Sequence, residues 1–331
     1  MTTALINKKN GERTQSSRAA VEWPTVALAA SIYMMWAALT YFHAQTPDWL
    51  LFILGGWVVA WHSSFQHEAV HGHPTKWRRI NTLLASPALS LWLPFEIYRS
   101  SHLLHHKDER LTDPTEDPES KYLSADQWAQ LGVLGRAIAN CQASLLGRMT
   151  IGSALLVGRF LKDEFALVAA GDQKRIRIWL HHLIGVAFVA FWLTVVCDMS
   201  IAKYIACFAY PATALLTLRS FAEHRAARKV EHRTAVVENA SIFALLFLNN
   251  NLHAVHHNNP AAAWYSLPQI YATNRNEIIE ANGGLVYDGY AEVVSRYLLA
   301  GHDQILHPDE TEQTIGEPYS EQKQFAFSIA Q

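Results

Sequence analysis

The sequence lacks several features that would point to other classes of protein. Its three cysteines, Cys141, Cys197 and Cys207, form no disulfide framework and no Cys-x-x-Cys site. A formal net charge of −2 leaves no basic excess to neutralise phosphates, so we expect no nucleic-acid partner. There is no Gly-x-Gly-x-x-Gly motif after a predicted strand and no cytochrome-type haem motif, so we expect no reductase or haem domain. The first 22 residues are polar and do not have the pattern of a secretory signal.

Long apolar runs, in contrast, are present, and half of all residues are hydrophobic. Four runs predict membrane-spanning helices, because about 20 apolar residues cross a hydrocarbon core of about 30 Å. Short connections join the first run to the second and the third to the fourth, which predicts two helical hairpins. The four runs are 23–42, 49–65, 178–196 and 204–218. A shorter apolar segment, 83–95, contains two prolines, and we predict that it lies at the membrane surface or re-enters it.

Basic residues follow the second and fourth runs, and the connection of the first hairpin contains none. The positive-inside rule therefore predicts that both termini and the segments after these runs face the cytoplasm. The predicted fold is an all-α integral membrane protein, with about four transmembrane helices in two hairpins and a cytoplasmic helical cap. We divide the chain into a polar, disordered N-terminus at 1–22, a membrane domain at 23–270 and a polar cytoplasmic segment at 271–331.

Histidine is the abundant residue, with 17 copies, and eight of them form three short boxes. The first box is His-Glu-x-x-His, whereas the second and third share the spacing His-x-x-His-His. The boxes are His67 and His71; His102, His105 and His106; and His253, His256 and His257. On a helix, residues three or four apart share a face, while adjacent residues diverge by about 100°. The second and third boxes can therefore each direct ligands to two neighbouring metals.

The number of histidines favours a two-metal site over a one-metal site. Eight imidazoles are too many for one zinc, which takes three or four protein ligands. Nitrogen ligands suit two redox metals, and iron is the first candidate. Two other interpretations stay open. One is a zinc protease, because the first box alone has the pattern of such an enzyme with Glu68 as general base. The other is a metal or haem transporter, which would place histidines within the spans or on both sides of the membrane.

Three motifs in this order resemble the membrane fatty acid desaturase superfamily. They are His-Glu-Ala-Val-His at 67–71, Arg-Ser-Ser-His-Leu-Leu-His-His at 99–106 and Leu-His-Ala-Val-His-His-Asn-Asn-Pro at 252–260, and the resemblance covers roughly residues 25–270. It implies a ninth ligand, for which His224 is the matching residue, and two iron ions that activate O2 to remove hydrogen from an unactivated C–H bond. Loss of a second hydrogen gives desaturation and oxygen rebound gives hydroxylation, so a hydroxylase or ketolase is the nearest alternative. The implied metal ligands are His67, His71, His102, His105, His106, His224, His253, His256 and His257.

Carboxylates near the boxes are candidates for orienting the ligand rings through the free ring N–H. These candidates are Glu68, Asp108, Asp113, Asp117 and Glu223. We predict that the remaining histidines have structural roles outside the metal site. They are His43, His62, His73, His181, His182, His232, His302 and His307.

The substrate class and the electron donor follow from the resemblance alone. Most members of the superfamily act on acyl chains, but the wording of these boxes looks like a bacterial subgroup that includes the dihydrorhizobitoxine desaturase type, which acts on an amino-acid-derived enol ether. Electrons would come from a separate ferredoxin-like donor with its reductase. Basic residues after the second and fourth runs are candidates for its docking site: Lys76, Arg78, Arg79, Arg225, Arg228 and Lys229. The expected location is a bacterial inner membrane, with membrane lipids as further partners.

Overall fold

The computed structural model of the protein describes residues 20–107 and 110–308. Most of the polar N-terminus predicted at 1–22, and the part of the predicted C-terminal segment beyond 308, lie outside the described residues. The α-helices of the described part are α1 (Trp23–Tyr41), α2 (Asp48–Val70), α3 (Arg78–Ala85), α4 (Phe95–His105), α5 (Ala125–Gln130), α6 (Val133–Ala143), α7 (Leu145–Gly147), α8 (Ser153–Ala169), α9 (Gln173–Phe191), α10 (Ile201–Tyr204), α11 (Tyr210–Glu223), α12 (Ile242–Leu246), α13 (His253–Asn258), α14 (Leu267–Ala281) and α15 (Tyr290–Tyr297). Turns of π-helix at Arg148–Gly152, Trp192–Val196 and Ile205–Ala209, 3-10 turns at Val230–Arg233 and Trp264–Ser266, and strands β1 (Val236–Val237) and β2 (Val286–Tyr287) complete the regular structure there.

Among the described residues, three helical segments are long and apolar enough to cross a membrane: Trp23–Tyr41, Gln173–Val196 and Ile201–Glu223. They contain the first, third and fourth predicted runs. The second run, 49–65, lies within α2, which has 23 residues and is long enough to span. Its C-terminal half carries polar residues such as His62, Ser63 and Gln66, and these lower its mean hydropathy. Four spans in two hairpins therefore stay a prediction, whereas three candidate spans are found.

α2 is the central helix, and it packs closely against the helix that runs from Ile201 to Glu223. Two glycines make this contact possible. A Cβ atom on Gly55 would lie 2.6 Å from the carbonyl oxygen of Cys207, and one on Gly56 would lie 2.8 Å from Cβ of Pro211. Small residues allow this close approach of helix backbones, as in other membrane helix pairs. The contact fixes the N-terminal half of α2 against its neighbour.

The apolar segment 83–95 does not form a continuous helix, because α3 ends at Ala85 and α4 begins at Phe95. Its backbone carbonyls receive hydrogen bonds from the long helices instead. The Tyr204 hydroxyl donates to the carbonyl of Leu89 at 2.7 Å, and His182 Nε2 lies 2.9 Å from the carbonyl of Leu91. Irregular backbone within a membrane is tolerated only where other groups of the protein satisfy its hydrogen-bonding N–H and C=O groups.

The prediction of an all-α fold needs one small correction, because β1 and β2 form a two-stranded parallel sheet. Extended backbone after His224 pairs there with the segment that precedes α15. Tyr287, Tyr290 and Val293 belong to the same hydrophobic core as the residues of α1 and α2. The chain beyond residue 270 is thus packed onto the domain up to at least Val293, although the predicted boundary at 270 stays a prediction.

Candidate metal centre

The first box lies at the C-terminal end of α2, and His224 directly follows the C-terminal end of α11. Asp48, at the start of α2, pairs with Lys203 Nζ at 2.8 Å, at the start of the Ile201–Glu223 helix. The two helices therefore run in the same direction, and both end at the histidines. His224 follows α11 in extended conformation and is fixed by an isolated β-bridge to Thr234.

The nine predicted ligands converge on two clusters, and within each cluster the candidate ligand atoms all lie within 4.8 Å of one another. The five-histidine cluster contains His67, His71, His102, His106 and His256. The four-histidine cluster contains His105, His224, His253 and His257. The structure thus brings together all nine residues, and each cluster offers enough donors for one ion.

Helix geometry divides the second and third boxes between the two clusters. At the C-terminal end of α4, His102 and the capping residue His106 are four residues apart and both face the five-histidine cluster, while His105 faces the other. In α13 the division is reversed, because His253 and His257 join the four-histidine cluster and His256 joins the five. The divergence of adjacent histidines predicted from the His-x-x-His-His spacing is present in both boxes.

The spacing of the ring nitrogens fits metal coordination. The Nε2 atoms of neighbouring rings face one another at 3.2 Å for His71 and His102, 3.1 Å for His106 and His256, and 2.8 Å for His224 and His253. Two nitrogens each about 2.1 Å from one ion lie roughly 3.0–3.4 Å apart for right-angle to tetrahedral geometry, so the first two pairs match this range and the third is slightly shorter.

The burial of His67 Nε2 also fits a bound metal ion. His67 Nε2 is fully buried and has no hydrogen-bond partner among the described residues. A buried polar atom without a partner is costly, and an ion would satisfy it. The donor set, nine imidazoles, suits divalent iron and other nitrogen-preferring metals.

Two carboxylates accept hydrogen bonds from the Nδ1 atoms of rings in the second box. Asp117 Oδ1 accepts a hydrogen bond from His105 Nδ1 at 2.9 Å, and both residues are buried. Glu119 Oε1 accepts from His102 Nδ1 at 3.0 Å, and its other oxygen lies 4.0 Å from His105 Nε2. An acceptor on Nδ1 fixes the tautomer and directs the Nε2 lone pair into the cluster.

Two more members of the four-histidine cluster, His224 and His253, are oriented in the same manner by polar groups. His224 Nδ1 donates to the carbonyl of Arg233 at 3.1 Å. His253 Nδ1 lies 3.2 Å from Asn250 Oδ1 and 3.3 Å from Glu223 Oε1. The Asn250 amide in turn donates to Glu223 at 2.8 Å, so that the two residues act as one acceptor unit.

Burial sets the protonation of most of these rings. It lowers the pKa of His71 and His106 well below the usual range, and the neighbouring imidazoles lower it further. His105 is the exception. Burial lowers its pKa as well, but the carboxylates of Glu119 and Asp117 outweigh this and raise it to about 9. Neutral rings can bind a metal without first losing a proton.

The carboxylate of Glu68, which would be the general base of a zinc protease, points away from the ligand atoms. Its Oε2 accepts a hydrogen bond from the backbone N–H of Trp264 at 3.1 Å. Its Oε1 lies 3.7 Å from His67 Nδ1, on the side of the ring opposite Nε2. Glu68 is buried, and its carboxylate lies on the Nδ1 side of the His67 ring.

The remaining predicted residues have other partners. Asp113 accepts hydrogen bonds from the backbone N–H groups of Thr115 and Glu116 in its own turn. Asp108 lies outside the described residues. The eight histidines predicted to be structural belong to neither cluster. His73, for example, forms a buried pair with Glu22 at 2.8 Å.

Sequence reasoning missed Glu119, Asn250 and Glu22. Glu119 lies in the same acidic loop as Asp117, but no helical spacing connects it to His102. Asn250 lies directly before the third box. The one sequence signal that could have identified Asn250 is its position three residues before His253, whose ring it contacts in the structure.

Comparisons with known proteins agree with this geometry. The family model for fatty acid desaturases matches residues 44–289, well over half of the chain, and this range contains all nine histidines. No curated protein matches the chain significantly. The family match implies an oxidoreductase, and together with the apolar helices it indicates an integral membrane protein. The chain belongs to the fatty acid desaturase family.

Proposed function

We propose that this chain is an O2-dependent, di-iron membrane desaturase. The observation that carries the proposal is the pair of histidine clusters, one with five and one with four candidate ligands. Nine imidazoles exceed the needs of one zinc and suit two nitrogen-ligated redox metals. The five-histidine cluster would hold one iron and the four-histidine cluster, completed by His224, would hold the other.

Bound iron would supply the activation of O2 and the removal of hydrogen from an unactivated C–H bond. The chain itself contributes the orientation of the ligands and the exclusion of water. Asp117, Glu119 and Asn250 hold ring Nδ1 atoms, so the Nε2 lone pairs face inward before any metal arrives. His105, His253 and His256 are almost completely buried, which keeps bulk water away from the reacting centre.

The proposed substrate is a fatty acyl chain or a small lipid-like or amino-acid-derived molecule of the dihydrorhizobitoxine type. A hydroxylase or ketolase on the same scaffold is the alternative, because the same ligand set serves all three reactions. Product analysis separates them: desaturation removes two hydrogens from the substrate, whereas hydroxylation adds one oxygen. A polar substrate of the amino-acid type would be accepted in place of acyl chains if the subgroup resemblance is correct.

We also propose a separate electron donor of the ferredoxin type, with its reductase, and a bacterial inner membrane with both termini and the metal centre on the cytoplasmic side. The basic residues of the candidate docking site are exposed at Lys76, Arg78 and Arg79 and again at Arg225 and Lys229. Docking there predicts a salt-dependent rate of reduction that is lost in the Arg78→Glu/Arg79→Glu double variant. A rate indifferent to both salt and charge reversal would rule out this docking site.

The deciding experiment is metal content per chain on protein purified in mild detergent. Wild type, His105→Ala and the control His181→Ala should be compared, since His181 is exposed and lies outside both clusters. We expect about two irons in wild type and in the control, and a sharp fall in His105→Ala. A single zinc that is unaffected by His105→Ala would overturn the proposal and favour the zinc-protease interpretation.

A further inference from the structure

A cavity of about 490 Å³ lies beside the second box, between α3, α4 and the start of α9. Four basic side chains line it: Arg78, Arg99, Lys174 and Arg177. Glu96 is the one acidic residue among the lining side chains. The volume falls within the range of roughly 300–1,000 Å³ that is usual for small-molecule sites.

The positive charge of this cavity is largely uncompensated. Glu96 pairs with Arg99, whose other guanidinium nitrogen donates to Thr82 Oγ1 at 3.2 Å. In the part of the chain that the structure describes, no carboxylate lies within ion-pair distance of Lys174 or Arg177. Cations gathered around one open cavity repel each other, and a bound anion relieves this repulsion.

The cavity lies where a membrane surface is expected. Lys174 and Arg177 occupy the first turns of the Gln173–Val196 segment, one of the three candidate spans. Leu103 and Ile178 supply an apolar part of the lining. On the neighbouring α3, Leu83 is 74% exposed, as expected for a side chain in contact with lipid rather than water. An anionic head and an apolar tail would therefore both find suitable surroundings.

We propose that this cavity binds the phosphodiester headgroup of an anionic phospholipid. Arginine and lysine are the usual partners of phosphate oxygens, and basic pockets between membrane helices on the cytoplasmic side recognise such headgroups. α4 lines the cavity with Arg99 and Leu103 and carries the second box on its other residues. A bound lipid would thus support the helix that contributes to both histidine clusters. The proposal does not depend on the identity of the metal or of the substrate.

The test measures which lipid the purified full chain retains. Protein in non-ionic detergent is incubated with equal amounts of phosphatidylglycerol and phosphatidylcholine that have the same acyl chains, and bound lipid is counted by native mass spectrometry. The test variant is Lys174→Gln/Arg177→Gln. The matched control is Arg159→Gln/Lys162→Gln, which removes the same charge from exposed positions on α8 that do not line the cavity.

We expect wild type and the control to prefer phosphatidylglycerol. In the test variant, the ratio of retained phosphatidylglycerol to phosphatidylcholine should be about thirtyfold lower. Equal retention of the two lipids by wild type, or an equal loss in the control variant, would overturn the proposal. Wild type that retains neither lipid but binds inorganic pyrophosphate, with that binding lost in the test variant, would show that the cavity serves a soluble phosphate compound and would contradict a lipid site. If the double variant does not fold, Arg177→Gln alone is compared with Arg159→Gln under the same criteria.

Discussion

The two histidine clusters are built in different ways. The five-histidine cluster takes four of its members from two helical pairs with a spacing of four residues, one in α2 and one ending α4. The four-histidine cluster has one such pair, in α13, and draws His105 and His224 from distant parts of the sequence. Its rings are also more fully held from behind, by Asp117, the carbonyl of Arg233 and Asn250. One cluster thus has more donors, and the other depends more on the groups that orient its donors.

The largest effect should come from removing one donor from each cluster. His106→Ala leaves the five-histidine cluster with four imidazoles, whereas His253→Ala leaves the other with three. We expect His106→Ala to retain about two irons per chain with weaker affinity, and His253→Ala to fall to about one. Metal analysis of both purified variants checks this, with His181→Ala as the control. Equal losses in the two variants would mean that the clusters load as one unit.

The next effect should come from removing a group that holds a ring. Asp117→Asn replaces the carboxylate that accepts from His105 Nδ1 with an amide of the same size, and loss of such a contact weakens metal affinity by about 10- to 100-fold. We expect this loss in the four-histidine cluster alone, measured by titrating the metal-free protein with Fe2+. Asp113→Asn is the control, because Asp113 belongs to the same loop and bonds only its own turn. An Asp113→Asn variant as weak as Asp117→Asn would assign the effect to the loop rather than to the ring.

In the metal-free protein, His105 should respond to pH in the direction opposite to that of His71 and His106. A histidine has a pKa of about 6.5 in the unfolded chain. His71 and His106 have lowered values in the folded state, so below pH 6.5 the unfolded chain binds more protons and stability falls. The pKa of His105 is raised to about 9, so its contribution is complete below pH 6.5 and is lost as the pH rises through 9.

Thermal unfolding of chelator-treated protein in detergent, from pH 5 to pH 10, measures both slopes. Each fully shifted histidine contributes up to about 1.4 kcal/mol per pH unit. His105→Ala should remove the decline on the alkaline side and leave the acid side intact, and His181→Ala should change neither. Constant stability between pH 7 and pH 5 would contradict the burial of neutral rings in the five-histidine cluster.

The sequence predicts the parts of this centre that depend on local geometry. The spacing of the boxes predicts which histidines share a face, and the structure has this division in both α4 and α13. His224 is different, since nothing local distinguishes it from His232. Its place in the four-histidine cluster depends on a β-bridge to Thr234 and on the end of α11, and only the family resemblance identified it.

The fold follows the same division between local and long-range causes. Three apolar runs predict three candidate spans, because length and composition are local properties. The second run is not among these candidate spans, because α2 changes within its 23 residues from an apolar helix to a polar one that contains the first box. The pairing of β1 with β2 connects segments about 50 residues apart, and two-residue strands leave no periodic pattern to detect.

The smallest effect should come from Glu119, whose carboxylate approaches both clusters. Glu119→Gln keeps an acceptor for His102 Nδ1 but removes the negative charge near His105 Nε2. The Glu119 side chain is one-third exposed, so solvent weakens its influence, and we expect a loss of iron affinity below about tenfold. Because the loss should be shared by both clusters, Fe2+ titration of Glu119→Gln should show two sites weakened alike, unlike Asp117→Asn. A loss confined to one site would assign Glu119 to that cluster alone, and the two clusters would then share no orienting group among these carboxylates.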